Sequence, residues 1–236
     1  MQCQAVLFDL DGTLLDIDMD LFLQHYFRVM VAMAKDKNME ADQLPQLVNE
    51  AVQAMVLNRD PNKFNTQIFD EHFYPRFPVE EKIMREFFLD FYEQGFPTLH
   101  PYCARYPQIG EIMQTVFDRG MTVVIATNSL FPPTAINQRL HWAGVGDYPY
   151  ALVTTYENMH FTKPHLEYYE EICRYIGVEP AECLMVGNDV GEDMVASRLG
   201  MKTFLLTERL IPAKKEIIIP DHQGTISDLY ALVKGL

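Results

Sequence analysis

The stretch Val6-Leu7-Phe8-Asp9-Leu10-Asp11-Gly12-Thr13-Leu14 constrains this chain more than any other. The apolar run from Ala5 to Phe8 predicts a short buried strand. It stops at two carboxylates and then at Gly12 and Thr13, which read as a turn. Alternate side chains of an extended chain point the same way, so Asp9 and Asp11 face one point just past the strand end. Gly12 lets the backbone come close to that point. Two like charges so near each other are costly unless a cation or a proton relieves them. Taken alone, the pattern also fits an ordinary acidic turn after a strand.

The later chain alternates in the same way. Helices are expected over 109–117, 134–142, 166–176 and 192–199, and strands over 121–126, 150–154, 183–186 and 202–206. Residues 217–219 are a candidate edge strand, and Ser227 is a candidate N-cap for a last helix ending near Lys234. Strand and helix in repetition imply an α/β fold: a doubly wound parallel sheet, Rossmann-like, with helices on both faces. Ligands of such sheets sit outside the carboxyl ends of the strands, near the switch in strand order. Residues 16–96 break the pattern. Apolar positions recur at helical spacing over 19–35, 44–56 and 79–92, with a loop at 58–65 and no convincing strand. An all-helical cap domain at 16–96, inserted into a core made of 1–15 and 97–236, is the expected organisation.

Three further stretches belong with the first. Val123-Val124-Ile125-Ala126 runs into Thr127-Asn128-Ser129, Phe161-Thr162 precedes Lys163-Pro164, and Cys183-Leu184-Met185-Val186 runs into Gly187-Asn188-Asp189 with Asp193 beyond. Together, in this order, they resemble the four motifs of the haloacid-dehalogenase-like superfamily of phosphotransferases. The resemblance covers the chain apart from residues of about 16 to 96, where that superfamily usually carries a helical cap. It implies attack on phosphorus by Asp9, a phosphoaspartyl intermediate, and Asp11 as general acid and then base. Thr127 would hydrogen-bond the phosphoryl oxygens, with Asn128 adding a donor. Lys163 would neutralise phosphate charge and steady Asp9. Pro164 is expected in the first turn of the following helix.

The fourth motif departs from the commonest family pattern, because Asn188 stands where an acid usually follows the glycine. Asp189 and Asp193 keep the acid-to-acid spacing, whereas counting back from Gly200 aligns Asn188 and Glu192 instead. A carboxylate binds magnesium better than a neutral amide, so Asp9, Asp11 and Asp189 are the expected Mg2+ ligands. Asn188 is an alternative ligand, and Asp193 an outer residue that orients the site. The resulting expectation is a magnesium-dependent phosphomonoester hydrolase of a small phosphorylated metabolite. A sugar-phosphate mutase would use the same groups, and a ligand-sensing protein without catalysis could keep the same fold. Dehalogenases of the superfamily lack an acid matching Asp11.

Composition narrows the partners. The formal net charge of −14 comes with no basic stripe, which argues against nucleic acid and requires a local cation to draw in an anionic substrate. No segment is long and apolar enough for a membrane span. Cys3, Cys103, Cys173 and Cys183 form no Cys-x-x-Cys pair, which favours a reducing, cytoplasmic location. The seven histidines show no zinc-ligand spacing. Arg59 and Lys63 in the cap loop read as solvated charges rather than substrate grips. Oligomeric state is not legible in the sequence.

Overall fold

The computed structural model describes residues 3–213 and 216–236. β1 (Ala5–Phe8) lies inside a six-stranded, all-parallel sheet. It is flanked by β4 (Thr122–Ile125) and β6 (Cys183–Gly187), with β5 (Leu152–Val153) beyond β4 and then β7 (Lys202–Leu206) and β8 (His222–Gly224) beyond β6. The chain builds outward from β4 to β5, then crosses to β6 on the other side of β1. The strand order therefore reverses at β1, and the carboxyl ends of β1, β4 and β6 come side by side. Phe8 pairs in register with Ile125 on one side and Val186 on the other.

All four residues of β1 are buried, because both faces of the sheet are covered. Val6 and Phe8 point to the face packed by α5 (Ile109–Asp118), α6 (Pro133–Ala143) and α8 (Ile226–Gly235). Ala5 and Leu7 point to the face packed by α7 (Leu166–Ile176), through Tyr168, Tyr169 and Ile172. The period of two in the sequence thus becomes two apolar layers, and the fold is α/β and doubly wound.

The helical cap holds α1 (Met19–Asp36), α2 (Leu44–Leu57), α3 (Asn65–Phe73) and α4 (Glu81–Asp90). Asp18 caps α1 by accepting from the Leu21 amide, and Phe22, Tyr26, Met30 and Ala34 form its buried stripe at a spacing of four. Chain entry and exit are tied together by an antiparallel pair, β2 (Leu15–Ile17) with β3 (Cys103–Arg105). The cap shares one apolar core with the sheet. Phe96 lies edge-on to Phe22 at 5.8 Å and stacks on Trp142 of α6 at 5.4 Å. Among the described residues, no helix is long and apolar enough to cross a membrane.

Several local expectations differ from the structure. Ile217 and Ile219 are 83% and 84% exposed and form no strand. The edge strand is β8, which the Asp221 carboxylate anchors by accepting from the Thr203 amide and hydroxyl. An apolar triplet is not enough where a neighbouring segment has the better anchor. The last helix is capped by Thr225 in a reciprocal pair with Asp228, two residues before Ser227. Residues Met194–Leu199 wind as a tight 3₁₀ helix rather than an α-helix from 192. Pro164 precedes α7, whose N-cap is His165, and does not enter its first turn. α3, β2 and β3 were not legible, since they are short and only weakly patterned.

The aromatic contact between cap and sheet gives a stability prediction. Phe96→Ala is expected to cost about 3–5 kcal/mol in urea unfolding, the range for losing a fully buried ring. A loss below about 1 kcal/mol would show that cap and core do not share this packing.

Candidate active site at the carboxyl ends of the central strands

Asp9 follows β1 directly, and its amide donates to Val186 O at 2.9 Å, which ties the first acid to β6. The chain then turns tightly, with the Leu14 and Leu15 amides both donating to Leu10 O at 2.9 Å. Gly12 has φ of +78°, and a Cβ there would lie 2.4 Å from the Asn188 side chain. Both the left-handed backbone and the close approach require glycine.

Lys163 enters this corner from the loop before α7 and is 1% exposed. Its Nζ donates to Asp9 Oδ1 at 2.8 Å and to Asp193 Oδ1 at 2.6 Å. Burial alone would lower the lysine pKa, but Asp193 and Asp9 outweigh it and hold the ammonium well above its ordinary range. Lys163 is therefore charged at any physiological pH. Asp193 is set in turn by its second oxygen, which accepts from the Asp189 amide at 3.0 Å. A Cβ at Gly187 would sit 2.1 Å from that oxygen, so the glycine makes room for the carboxylate.

The fourth motif places its two candidates differently. The Asp189 carboxylate folds back and accepts from the amides of Gly191 at 2.7 Å and Glu192 at 2.9 Å. Asn188 is buried and faces the first motif. Its Nδ2 donates to Arg209 O at 2.6 Å, which fixes the amide orientation and turns Oδ1 toward Thr13. The Thr13 hydroxyl lies 3.1 Å from Asp9 Oδ2 and 3.2 Å from Asn188 Oδ1, yet it has a single proton to give. Two oxygens thus compete for one donor, a surplus of hard acceptors that suits a hard cation. Among the described residues, no three Asp, Glu, His or Cys side chains converge as a metal cluster, so Asp9, Asp11 and Asp189 are not gathered as one set.

Thr127 lies past the end of β4. Its carbonyl accepts from Thr154 Oγ1 and Tyr168 Oη, both at 2.7 Å, which fixes the peptide and leaves the hydroxyl uncommitted among the described residues. Asn128 donates to Glu192 Oε2 at 2.9 Å, while its own buried Oδ1 has no partner among the described residues.

This geometry has relatives. The sequence model of the haloacid dehalogenase-like hydrolases matches residues 3–199. The chain belongs to this family of hydrolases. A phosphoglycolate phosphatase of Vibrio vulnificus (strain YJ016) is 28% identical over 210 residues, covering 87% of this chain and 84% of that one. A glyceraldehyde 3-phosphate phosphatase of Methanothermobacter thermautotrophicus is 34% identical over 65 residues, 27% of this chain and 29% of that one. Among solved structures, an HAD phosphatase from Thermococcus onnurineus superposes with a TM-score of 0.61 at 20% identity, over 100% of this chain and 99% of that one. The L-2-haloacid dehalogenase from Xanthobacter autotrophicus has a TM-score of 0.57 at 18% identity, over 100% of both chains. At such identities the two structures share the fold alone.

The hydrolase also carries site residues that its motifs do not announce. Asp11 is met by Arg139 of α6, whose Nη1 donates to Asp11 Oδ2. Arg139 is fully buried, donates through Nε to Ala135 O at 3.3 Å, and lies over the Phe131 ring at 4.4 Å. Burial pushes the Asp11 carboxyl up from its ordinary value; Arg139 pulls it back and the Asp9 charge adds to the rise. Asp11 Oδ1 is buried with no partner among the described residues. Helical spacing could have exposed Arg139, because it falls on the stripe Ala135, Ile136, Leu140, Ala143 that α6 buries. Asn65 of α3, also buried, donates to Ser129 Oγ at 3.0 Å and so joins the cap to the loop after β4. Arg59 and Lys63 do not face the site; Arg59 pairs with Glu167, and Lys63 with Glu71 at 2.8 Å.

Glu192 gives a pH prediction. Burial raises its pKa from the ordinary 4.5 to about 7, against the pull of Lys163. Between those values the folded protein binds a proton that the unfolded chain does not. The associated stability is complete below about 4.5 and lost as pH rises through about 7. Urea midpoints at about pH 5 and about pH 8 should differ less in Glu192→Gln than in the parent protein. Equal differences would show that Glu192 titrates normally.

Proposed function

We propose that this hydrolase is a magnesium-dependent phosphomonoesterase of a small phosphorylated metabolite, acting through a phosphoaspartyl intermediate on Asp9. The observation that carries the reading is the buried Lys163 ammonium, whose Nζ donates to Asp9 Oδ1 at 2.8 Å and fixes the direction of that carboxylate at the sheet edge. The named phosphatases among its relatives support hydrolysis of a phosphate ester.

In this reading Asp9 attacks phosphorus in line with the ester oxygen. Asp11 gives its proton to that oxygen as the alcohol leaves. Asp11 then takes a proton from water, whose oxygen attacks the phosphoaspartate at phosphorus and frees Asp9 and inorganic phosphate. The Thr127 hydroxyl and the Asn128 backbone amide hold the phosphoryl oxygens, and Lys163 offsets their growing charge. Arg139 stops the Asp11 carboxyl from turning freely.

The oxygen surplus at Thr13 fits magnesium. Asp9 and Asn188 would hold the ion, with Asp11 beside them, in place of the Asp189 expected from charge alone. Bound there, the ion neutralises phosphoryl charge and aligns the group with Asp9. Asp193 acts from outside, by holding Lys163. Four free cysteines agree with a reducing, cytoplasmic setting. The structural resemblance to dehalogenases extends to fold alone, and Asp11 provides the general acid that ester hydrolysis requires.

Two measurements test the reading. Asp9→Asn should lower magnesium-dependent phosphate release from an aryl phosphate by about a thousandfold or more, with an unchanged circular dichroism spectrum. Unchanged turnover would remove Asp9 as nucleophile. Asn188→Asp adds a charge to the proposed ion site and should lower the magnesium concentration for half-activation by about tenfold. No change in Asn188→Asp, with a shift in Asp189→Asn, would return the ligand role to Asp189.

A further inference from the structure

A cavity of about 380 Å³ lies between the cap and the loop that follows β4. Its walls are aromatic. Tyr26, Phe69, Phe88 and Tyr92 come from the cap, and Phe131 and Tyr156 from the core. Two side chains, Phe131 and Arg139, connect it to Asp11. Leu130, Phe131 and Pro132 on its wall directly follow Thr127, Asn128 and Ser129. The Phe131 ring that lines the cavity also lies under the Arg139 guanidinium, which grips Asp11.

The charges around the cavity select against an anionic occupant. Among the described residues its one lining cation, Arg85, is committed: it donates to Asp70 at 2.7 Å and to Glu81 at 2.8 Å, and lies over the Tyr74 ring at 4.3 Å. The other charged lining residues are Glu93 and Glu157. A carboxylate placed here would meet like charge and have no free cation to pair with. The Tyr26 and Tyr92 hydroxyls, 2.9 Å apart, share one hydrogen bond, which leaves one phenol proton for a neutral acceptor such as an ester or alcohol oxygen.

We infer that the cavity holds the leaving group of the substrate, and that this group is uncharged and aromatic or similarly apolar. The inference rests on the phosphatase reading and narrows it: the substrate is a phosphomonoester of a hydrophobic alcohol or phenol rather than of a small hydroxy acid. The phosphoryl group lies at Asp9 and the carbon skeleton extends past Phe131. Hydrolysis breaks the bond from phosphorus to the ester oxygen, the proton goes to that oxygen, and the neutral alcohol is left among rings that bind it by area and edge contacts.

The test separates the cavity from the chemistry. Binding of 2-naphthol, a leaving group with no phosphate, is read by its fluorescence in the whole protein. Turnover is read with 2-naphthyl phosphate, phosphoglycolate and acetyl phosphate. The parent protein should bind 2-naphthol, and kcat/KM for the naphthyl ester should exceed that for phosphoglycolate by about tenfold or more. Val52→Trp, which fills the cavity, should weaken naphthol binding and lower the ratio of naphthyl to acetyl phosphate turnover by about tenfold. Leu89→Trp narrows the cavity from a more exposed helix position, and stands in if Val52→Trp fails to fold. Preference for phosphoglycolate, or naphthol binding equal in the parent and in a folded Trp variant, would overturn the inference. Naphthol binding with no hydrolysis of any ester would overturn the phosphatase reading, and with it the assignment of the cavity to a leaving group. Acetyl phosphate hydrolysis without naphthol binding would overturn the cavity assignment alone.

Discussion

A lysine ammonium with 1% exposure, between two carboxylates, is the interaction on which this site depends. Removing such an ion from water costs several kcal/mol, and only close, well-directed partners offset that cost. The partners come from distant parts of the chain: Asp9 from the end of β1, Asp193 from the turn after β6. Their contacts at 2.8 and 2.6 Å hold only if β1 and β6 are neighbours in parallel register. The fold and the charge state of the site are thus one constraint. A misplaced strand would leave a buried charge without its counterion, and a missing counterion would penalise the sheet order that creates the site.

The same coupling extends to the cap. Phe22, Tyr26 and Phe96 pack against Trp142 and Phe131 of the core, so closing the cap and completing the core are largely one event. Asn65 bonds to Ser129, one residue past Asn128, and the Thr66 amide donates to Tyr156 O at 2.7 Å. These bonds link cap position to the loop that carries Thr127 and Asn128. A lid so attached both excludes water and shapes the chamber beside the reacting group.

Much of this was legible in the sequence because the signals were periodic or acidic. The all-buried run before Asp9, the strand-helix alternation and the three polar strand ends each follow from one local rule. What escaped depended on partners far along the chain. Arg139 falls on the buried stripe of α6, but nothing local names its partner, Asp11, which lies 128 positions away. On charge alone Asn188 is the weaker ligand, yet its bond to the Arg209 carbonyl turns its Oδ1 toward Thr13, while Asp189 Oδ1 accepts from the amides of its own turn. The triplet Ile217–Ile219 looked like a strand, yet the Asp221 side chain sets the edge a few residues later. In each case chemistry was visible locally and direction was not.

The central claim is that these groups make Asp9 the atom donor to phosphorus. The most direct measurement is to quench the enzyme during turnover, reduce any acyl phosphate with borohydride, and read the peptides by mass spectrometry. The account predicts homoserine in place of Asp9 and at no other acid. Reduction at a different carboxylate, or phosphate release at full rate while Asp9 stays unmodified throughout, would contradict it.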